Sequence, residues 1–456
     1  MLTFTGARNP NDSEHNAKGD YFYYIQIMLW SFVYNTIAIP LFYLAVKAYS
    51  LVNRKVRKGI VGRNTAFSTL PDDMERLSTG PRLWVHASSM GEFEQAKPII
   101  EELKRRLPDV RVIASFFSPS GFENNRHYES ADIVTYIPFD SRKSARWFLD
   151  VVRPNAVIFI RYDIWPNHVV ECHRRSIPVI LVNATLRKSS TSLWPGIRGM
   201  YRNCYEPMGA VFTVSDSDAG NFRRFSLKDT RVEAIGDTRY DRVLQKAKRA
   251  GGTSLIPASV YERKTVLVAG STWPADEEHL LPVLEKLDRN QPGLLFILVP
   301  HEPNVEHLDH IEFKLGKKLS VIRFSALSHY AGENVILIDC VGILLSLYAV
   351  ADVAFVGGGF YTNVHNVLEP AAYGAPVVFG PHTGKSQEAR ELTNSGGAYM
   401  VRTRQELYRA LRRLLSDSTH RQAIGDAARR FVQQRGGTTN RIVDYLEELL
   451  QRNGPG

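Results

Sequence analysis

Between Arg82 and Glu92 the chain reads RLWVHASSMGE, and directly after it, from Phe93, FEQAKPIIEELKRRL. The first segment opens with a short apolar run, the pattern of a strand covered on both faces. The second spaces its apolar residues three and four apart, the pattern of a helix packing one side on a sheet. Strand, small-residue turn and helix together make the repeating half of a strand–helix–strand unit. The unit recurs: VRVIASFF from Val110, AVIFIRYD from Ala156, PVILVNA from Pro178 and AVFTVSD from Ala210 read as further buried parallel strands. Helical patterns such as HVVECHRRS from His168 lie between them. These segments predict a doubly wound, Rossmann-like α/β lobe.

A polar stretch, QKAKRAGGTSLIPASVYERK from Gln245, has the composition of a linker. Beyond it the alternation resumes with TVLVAGS from Thr265, LLFILVP from Leu294, NVILIDC from Asn334, VAFVGGG from Val353 and APVVFGP from Ala375. A second lobe of the same type is therefore expected. The tail from Thr403 reads as amphipathic helices, including QELYRALRRLL and NRIVDYLEELL, packed on the lobes. The expected division is residues 1–57 as tail and membrane anchor, 58–244 as the first lobe, and 245–456 as the second lobe with the C-terminal helices. No internal repeat or low-complexity tract points to a solenoid or propeller.

From Tyr21 to Val46 no side chain is charged, and the stretch has the length of a bilayer-crossing helix. Aromatic residues crowd its start, and Lys47, Arg54, Lys55, Arg57, Lys58 and Arg63 follow it, which predicts a cytoplasmic body. Asn35 and Pro40 interrupt the run, so a helix lying in the interface, or a hairpin that does not fully cross, is the alternative to a single crossing anchor. At 456 residues the chain has room for two cores, and its net charge of +10 favours acidic partners: nucleic acid, anionic lipid or phosphorylated substrates. No basic recognition helix or aromatic RNA-binding sheet motif is present, so no nucleic-acid partner is expected. Three separated cysteines, Cys172, Cys204 and Cys340, suggest neither a disulfide framework nor a zinc site. No GxGxxG follows the first strand, which argues against a dinucleotide-dependent oxidoreductase.

Ligands of open parallel sheets collect at the carboxyl ends of strands. Glu92 lies at such an end and at a helix start, where the helix dipole favours the ionised form that a general base needs. A capping residue is the competing reading. In the second lobe, GGGFYTNVHNVLEPAAYGAPVVFGPH from Gly357 ends a strand in glycines that let the backbone approach a ligand, and Glu369 there has the chemistry to bind a ribose diol or simply to complement the helix dipole.

The order of these segments resembles the Kdo transferases of lipopolysaccharide synthesis, enzymes of the GT-B fold that handle 3-deoxy-D-manno-octulosonic acid (Kdo). The matching segments are WVHASSMGEFEQAKPII from Trp84, DIWPN from Asp163, LVNATLRKSS from Leu181, IGDTRYD from Ile235, VAGSTWPADEE from Val268, ILVPHEP from Ile297 and HNVLEPAAYGAPVVFGPHTGKSQEA from His365. The resemblance implies two Rossmann-like lobes facing a cleft, behind an N-terminal membrane-associated helix. It places the catalytic base on Glu92 and the transition-state cation on Arg239, where the family more often has lysine. CMP contacts fall on Pro300 and His301, on Val341, Gly342 and Ile343, and on Asn366, Val367, Leu368 and Glu369. Two positions depart from the family pattern. His301 stands where a basic arginine is usual, so phosphate contact must come from the imidazole, nearby backbone or elsewhere. Arg161 stands where an acidic residue is common, so either Asp163 supplies that carboxylate or none is used; Arg161 itself reads as a contact for an acidic sugar or lipid phosphate, or as a strand-end surface residue.

The implied reaction is a single inverting displacement from CMP-Kdo to a lipid A precursor, lipid IVA, on the cytoplasmic side of the inner membrane. Neither cofactor nor metal is expected, since no Asp, Glu or His cluster has ligand spacing. A membrane-bound homologue that binds the sugar nucleotide without turnover is the alternative.

Overall fold

The computed structural model describes residues 29–250, 255–316, 318–384 and 386–452. It divides into two compact units, Met1–Arg239 with Gly437–Gly456, and Tyr240–Gly436. The aromatic start of the apolar run, Tyr21 to Tyr24, and the glycine pair of the expected linker, Gly251 and Gly252, lie outside the described residues.

The first unit is built on a seven-stranded, all-parallel sheet of order β3-β2-β1-β4-β5-β6-β7. Its strands are β1 (Arg82–His86), β2 (Arg111–Phe116), β3 (Ile133–Tyr136), β4 (Ala156–Ile160), β5 (Val179–Ala184), β6 (Ala210–Thr213) and β7 (Arg231–Ala234). The second unit repeats the plan in the order β10-β11-β9-β8-β12-β13-β14, again all parallel. Its strands are β8 (Thr265–Thr272), β9 (Leu294–Pro300), β10 (Val321–Arg323), β11 (Val335–Leu337), β12 (Val353–Val356), β13 (Val377–Phe379) and β14 (Ala398–Met400).

Both faces of each sheet are covered. In the first unit one layer centres on Trp84, Phe148, Phe159 and Phe222, the other on Phe93, Ile100, Phe116 and Ile158. The ten apolar runs read from the sequence are the ten inner strands. The four strands the sequence reading missed, β3, β7, β10 and β14, are the four sheet edges. An edge strand has a neighbour on one side only and here is short and incompletely buried, so it carries no continuous apolar run.

The boundary also differs from the expected 244/245. The chain enters the second unit at Tyr240 and leaves it at Gly436, and the final helix, Thr438–Arg452, belongs to the first unit rather than the second. Ile442, Val443, Leu446 and Leu450 share a core with Phe93, Ile99 and Leu103. Arg106 fixes the helix from outside through Asp444 at 2.6 Å and Asn440 at 2.8 Å.

Leu29–Val52 is one helix, long and apolar enough to cross a membrane by length and composition, with a π turn at Tyr34–Ala38. It continues past the expected end at Val46. One flank docks on the loops that follow β2, β3 and β4: Tyr34 donates to Asp140 at 2.8 Å, Asn35 accepts from Asn167 at 3.0 Å, and Phe42 and Tyr43 pack on Phe139. Asp140 is the hub, accepting also from the backbone of Asn167 and from His168 Nδ1 at 2.6 Å. Leu29, Phe32, Ile37, Leu41 and Leu44 remain exposed on the same helix.

Candidate active site

In each sheet the strand order reverses beside the unit's first strand, between β1 and β4 and between β8 and β12. A crevice opens at such a reversal, at the carboxyl ends of the strands. Three non-glycine residues with positive φ sit at these ends: Arg161 (69°) after β4, Asn183 (52°) in β5 and Ser271 (53°) in β8. Left-handed backbone costs of order 1–3 kcal/mol at such residues and gathers at functional sites.

Glu92 stands at the β1 end. Ser89 caps the helix Met90–Arg106, and the box is complete: the Glu92 amide donates to Ser89 Oγ at 3.4 Å, and the Ser89 amide donates to Glu92 Oε2 at 3.1 Å. Capping and catalytic roles are therefore compatible, since one carboxylate oxygen does the capping. The amides at the helix start favour the ionised form of Glu92, as the sequence reading expects, but they do not decide the net direction. Burial raises its proton affinity and the nearby Asp163 charge adds to this, outweighing the opposing backbone amides of Ser89 and Ser88 and the Arg161 cation. Two carboxylates in one crevice repel, and the more buried one holds its proton more tightly.

Asp163 and Arg161 follow β4. Asp163 is partly exposed, yet its Oδ2 is buried without a hydrogen-bond partner, 3.7 Å from His86 Nε2. His86 is fully buried, and burial depresses its proton affinity. Trp165 Nε1 donates to His86 Nε2 at 3.0 Å, so the ring proton sits on Nδ1 and reaches Ser115 Oγ at 2.9 Å. A neutral imidazole thus faces Asp163 and leaves its charge uncancelled.

Arg239 starts the helix Thr238–Ala250 and pairs with the buried Asp237 at 2.8 Å. Its neighbour Thr238 is tied to the helix that carries Glu92: its hydroxyl donates to Gln95 O at 2.7 Å and accepts from Asn183 Nδ2 at 2.6 Å. Asn183 also donates to Gln95 Oε1 at 3.1 Å. Gln95, Asn183 and Thr238 are far apart in sequence, and no local pattern marked them or His86 and Trp165; only their place inside WVHASSMGEFEQAKPII, DIWPN, LVNAT and DTRYD hinted at a shared purpose.

In the second unit the β8 end leads to Trp273, whose ring stacks on His301 at 4.6 Å; His301 in turn stacks on His365 at 4.6 Å. Trp273 Nε1 donates to His365 Nε2 at 2.8 Å, and burial, then the charge of His301, lowers the basicity of His365. A cavity of about 640 Å³ beside Trp273 is lined by Asn304, His307, His310 and Phe313. Pro300 ends β9 and His301 is exposed just beyond it. Val341 is 76% exposed, and Gly342 takes a left-handed φ of 89° before Ile343. Asn366 is exposed, Glu369 lies in the first turn of Leu368–Tyr373, but Val367 and Leu368 are core residues. Only their backbone is available to a ligand.

Close backbone packing by itself requires glycine after β12. A Cβ on Gly357 would lie 2.2 Å from Ser271 O, and one on Gly359 2.5 Å from the Gly380 amide. The loop is held from behind by Asp276, fully buried, which accepts from Trp273 N at 3.0 Å, Gly358 N at 2.7 Å and Phe360 N at 3.0 Å. Glu277 next to it accepts from Thr272 and from His307, each at 2.8 Å.

Two parallel doubly wound sheets, each with polar side chains gathered at its reversal point, define the GT-B class of sugar-nucleotide enzymes. The fold is shared with the UDP-GlcNAc 2-epimerase of Neisseria meningitidis, with a TM-score of 0.56 at 15% identity over 80% of this chain and 100% of that one. The family model described as 3-deoxy-D-manno-octulosonic-acid transferase (kdotransferase) matches residues 62–242. The 3-deoxy-D-manno-octulosonic acid transferase of Aquifex aeolicus is 30% identical over 73% of this chain and 86% of its own length. That of Haemophilus influenzae is 28% identical over 81% of this chain and 88% of its own. The chain belongs to the Kdo transferase family.

Proposed function

We propose that this glycosyltransferase moves Kdo from CMP-Kdo to a hydroxyl of a lipid A precursor such as lipid IVA, in one inverting displacement with Glu92 as general base. The observation that carries the reading is the Glu92 carboxylate: it stands at the β1–β4 reversal, beside Asp163, with raised proton affinity. A sugar hydroxyl is far too weak an acid to ionise first, so its proton must pass to a base as the bond forms. A carboxylate with raised affinity is the stronger base for that transfer, provided it is ionised at the working pH.

In the proposed step the acceptor oxygen bonds to the anomeric carbon, its proton goes to Glu92, and the bond to CMP breaks with its electron pair leaving on the phosphate. Arg239, oriented by Asp237, supplies positive charge. Asp163 supplies the second carboxylate. Pro300, His301, Val341, Gly342, Ile343 and the Asn366–Glu369 segment hold the CMP moiety, Val367 and Leu368 through backbone groups. Exposed leucines and phenylalanine on Leu29–Val52 and the basic residues after it fit a body held at the cytoplasmic face of the inner membrane.

The test is incubation of purified protein with CMP-Kdo and lipid IVA, with the product weighed by mass spectrometry. Wild type adds Kdo, and Glu92→Ala does not. Release of CMP without sugar on the lipid, or undiminished transfer by the variant, contradicts the assignment. The reaction is proposed to need no metal, so chelation with EDTA leaves the rate unchanged; a loss restored by a divalent ion contradicts that part.

A further inference from the structure

Arg161 is the one feature of the β4 end that the reaction above leaves without a task. Its backbone is left-handed at a φ of 69°, held by its own amide donating to Val182 O at 2.9 Å. Its Nε is buried with no acceptor, and its guanidinium makes no hydrogen bond or ion pair among the described residues. Other arginines of the same unit have partners; even Arg111, whose Nε is likewise buried without an acceptor, donates through its terminal nitrogens to Pro108 O and Thr79 O. Arg63 donates to the carbonyls of Gly59, Phe117 and Ile137, Arg106 pairs with Glu102 and Asp444, and Arg175 with Glu171 and Asp150.

Carboxylates are near, and Arg161 binds neither. The Arg161 cation and the Asp163 anion both act on Glu92, while Asp163 Oδ2 is itself buried and without a partner. Opposite charges two residues apart would ordinarily close on each other. Here the turn that follows β4 keeps them apart, and the neutral His86 ring leaves Asp163 uncancelled. A buried, unpartnered donor of a permanently charged fork calls for a planar or tetrahedral oxyanion that accepts two N–H bonds at once.

We propose that Arg161 recognises an anionic oxygen group of the substrate, either a phosphate of the acceptor glycolipid or the carboxylate of the transferred sugar acid. The inference rests on the proposed reaction for the identity of these two sources, but not for the existence of the anion site. Arg161 then sets specificity for charged substrates at the edge that carries Glu92, a task opposite to that of the acidic residue common at this position in the family.

The test compares wild type with Arg161→Asn and Arg161→Lys. Asparagine accepts left-handed backbone, so it removes the charge without adding strain. Affinity for bisphosphorylated lipid IVA and for its dephosphorylated form is measured directly in detergent micelles, and KM is measured for donor and acceptor. The expected result for Arg161→Asn is an unchanged melting temperature with affinity for one substrate down roughly 10- to 100-fold, the worth of hydrogen bonds to a charged group. Arg161→Lys recovers part of it. A penalty that disappears with the dephosphorylated lipid identifies the phosphate; one confined to the KM for CMP-Kdo identifies the carboxylate. Equal affinity of wild type and Arg161→Asn for both substrates overturns the proposal, as does Arg161→Glu matching wild type. Absence of transfer by wild type strikes at the reaction instead, and direct titration of lipid IVA and of CMP-Kdo into wild type and Arg161→Asn still decides whether Arg161 binds an anion.

Discussion

Replacing Asp276 with alanine removes the acceptor of three backbone N–H groups at once, those of Trp273, Gly358 and Phe360. Each is a bond to an ionised carboxylate that is fully buried, and each orphaned donor costs about 1–3 kcal/mol. Three donors together cost about 3–9 kcal/mol, and some relaxation and entry of water place the total for Asp276→Ala in the lower half of that range, about 4 kcal/mol. Asp276→Asn is graded: an amide oxygen in the Oδ2 position still serves Trp273 and Gly358, while its NH₂ group faces the Phe360 donor, for a loss of about 2 kcal/mol. Hydrogen exchange followed by mass spectrometry on the peptide after β12 is the direct assay. Protection at Gly358–Phe360 is expected to fall by roughly 1,000-fold in the alanine variant and by roughly 30-fold in the asparagine variant. KM for the nucleotide donor rises in the same order, because the loop that Asp276 secures borders the Trp273–His301–His365 stack. Wild-type exchange at these amides in Asp276→Ala would refute the view that this carboxylate holds the loop.

Three further outcomes follow from the same geometry. Glu92→Gln lowers the transfer rate at least about 100-fold while raising the denaturation midpoint at neutral pH. The sign follows from the raised folded-state proton affinity: the stability this group contributes is complete below the ordinary carboxyl range and is lost as pH rises through the folded value, so an uncharged side chain restores it. Asp163→Asn moves the acidic limb of the kcat/KM profile to lower pH, since Glu92 works deprotonated and the Asp163 charge raises its proton affinity; an unmoved limb in a folded variant contradicts that coupling. Gly359→Ala drives a methyl group to within 2.5 Å of the Gly380 amide and destabilises the second unit by about 3 kcal/mol, read as a fall in its urea midpoint, whereas exposed Gly384→Ala leaves it unchanged.

The sheet interiors were legible in the sequence because a strand covered on both faces must be apolar throughout. Val157–Ile160 and Phe296–Val299 have no other reading at that length. Edge strands such as Arg231–Ala234, with no buried residue, escape that rule and were missed. Glu92 was legible from its motif and from its place between a strand and a helix, though its raised proton affinity was not, because it comes from tertiary burial first and then from Asp163, which follows a different strand. Arg161 was visible only as a departure from the family pattern. Its left-handed backbone and its lack of partners depend on Val182 and on the turn after β4, and no residue type signals either.

The last helix has a consequence for how the polypeptide is made. Phe93, Ile99, Leu103 and Ile235 emerge early from the ribosome, yet the residues that cover them, Ile442, Val443, Leu446 and Leu450, emerge after the whole second unit. One side of the nascent first unit therefore waits, uncovered, for about two hundred residues of translation. That apolar surface stays open during the interval, and a chain ending just before Thr438 lacks the residues that cover it.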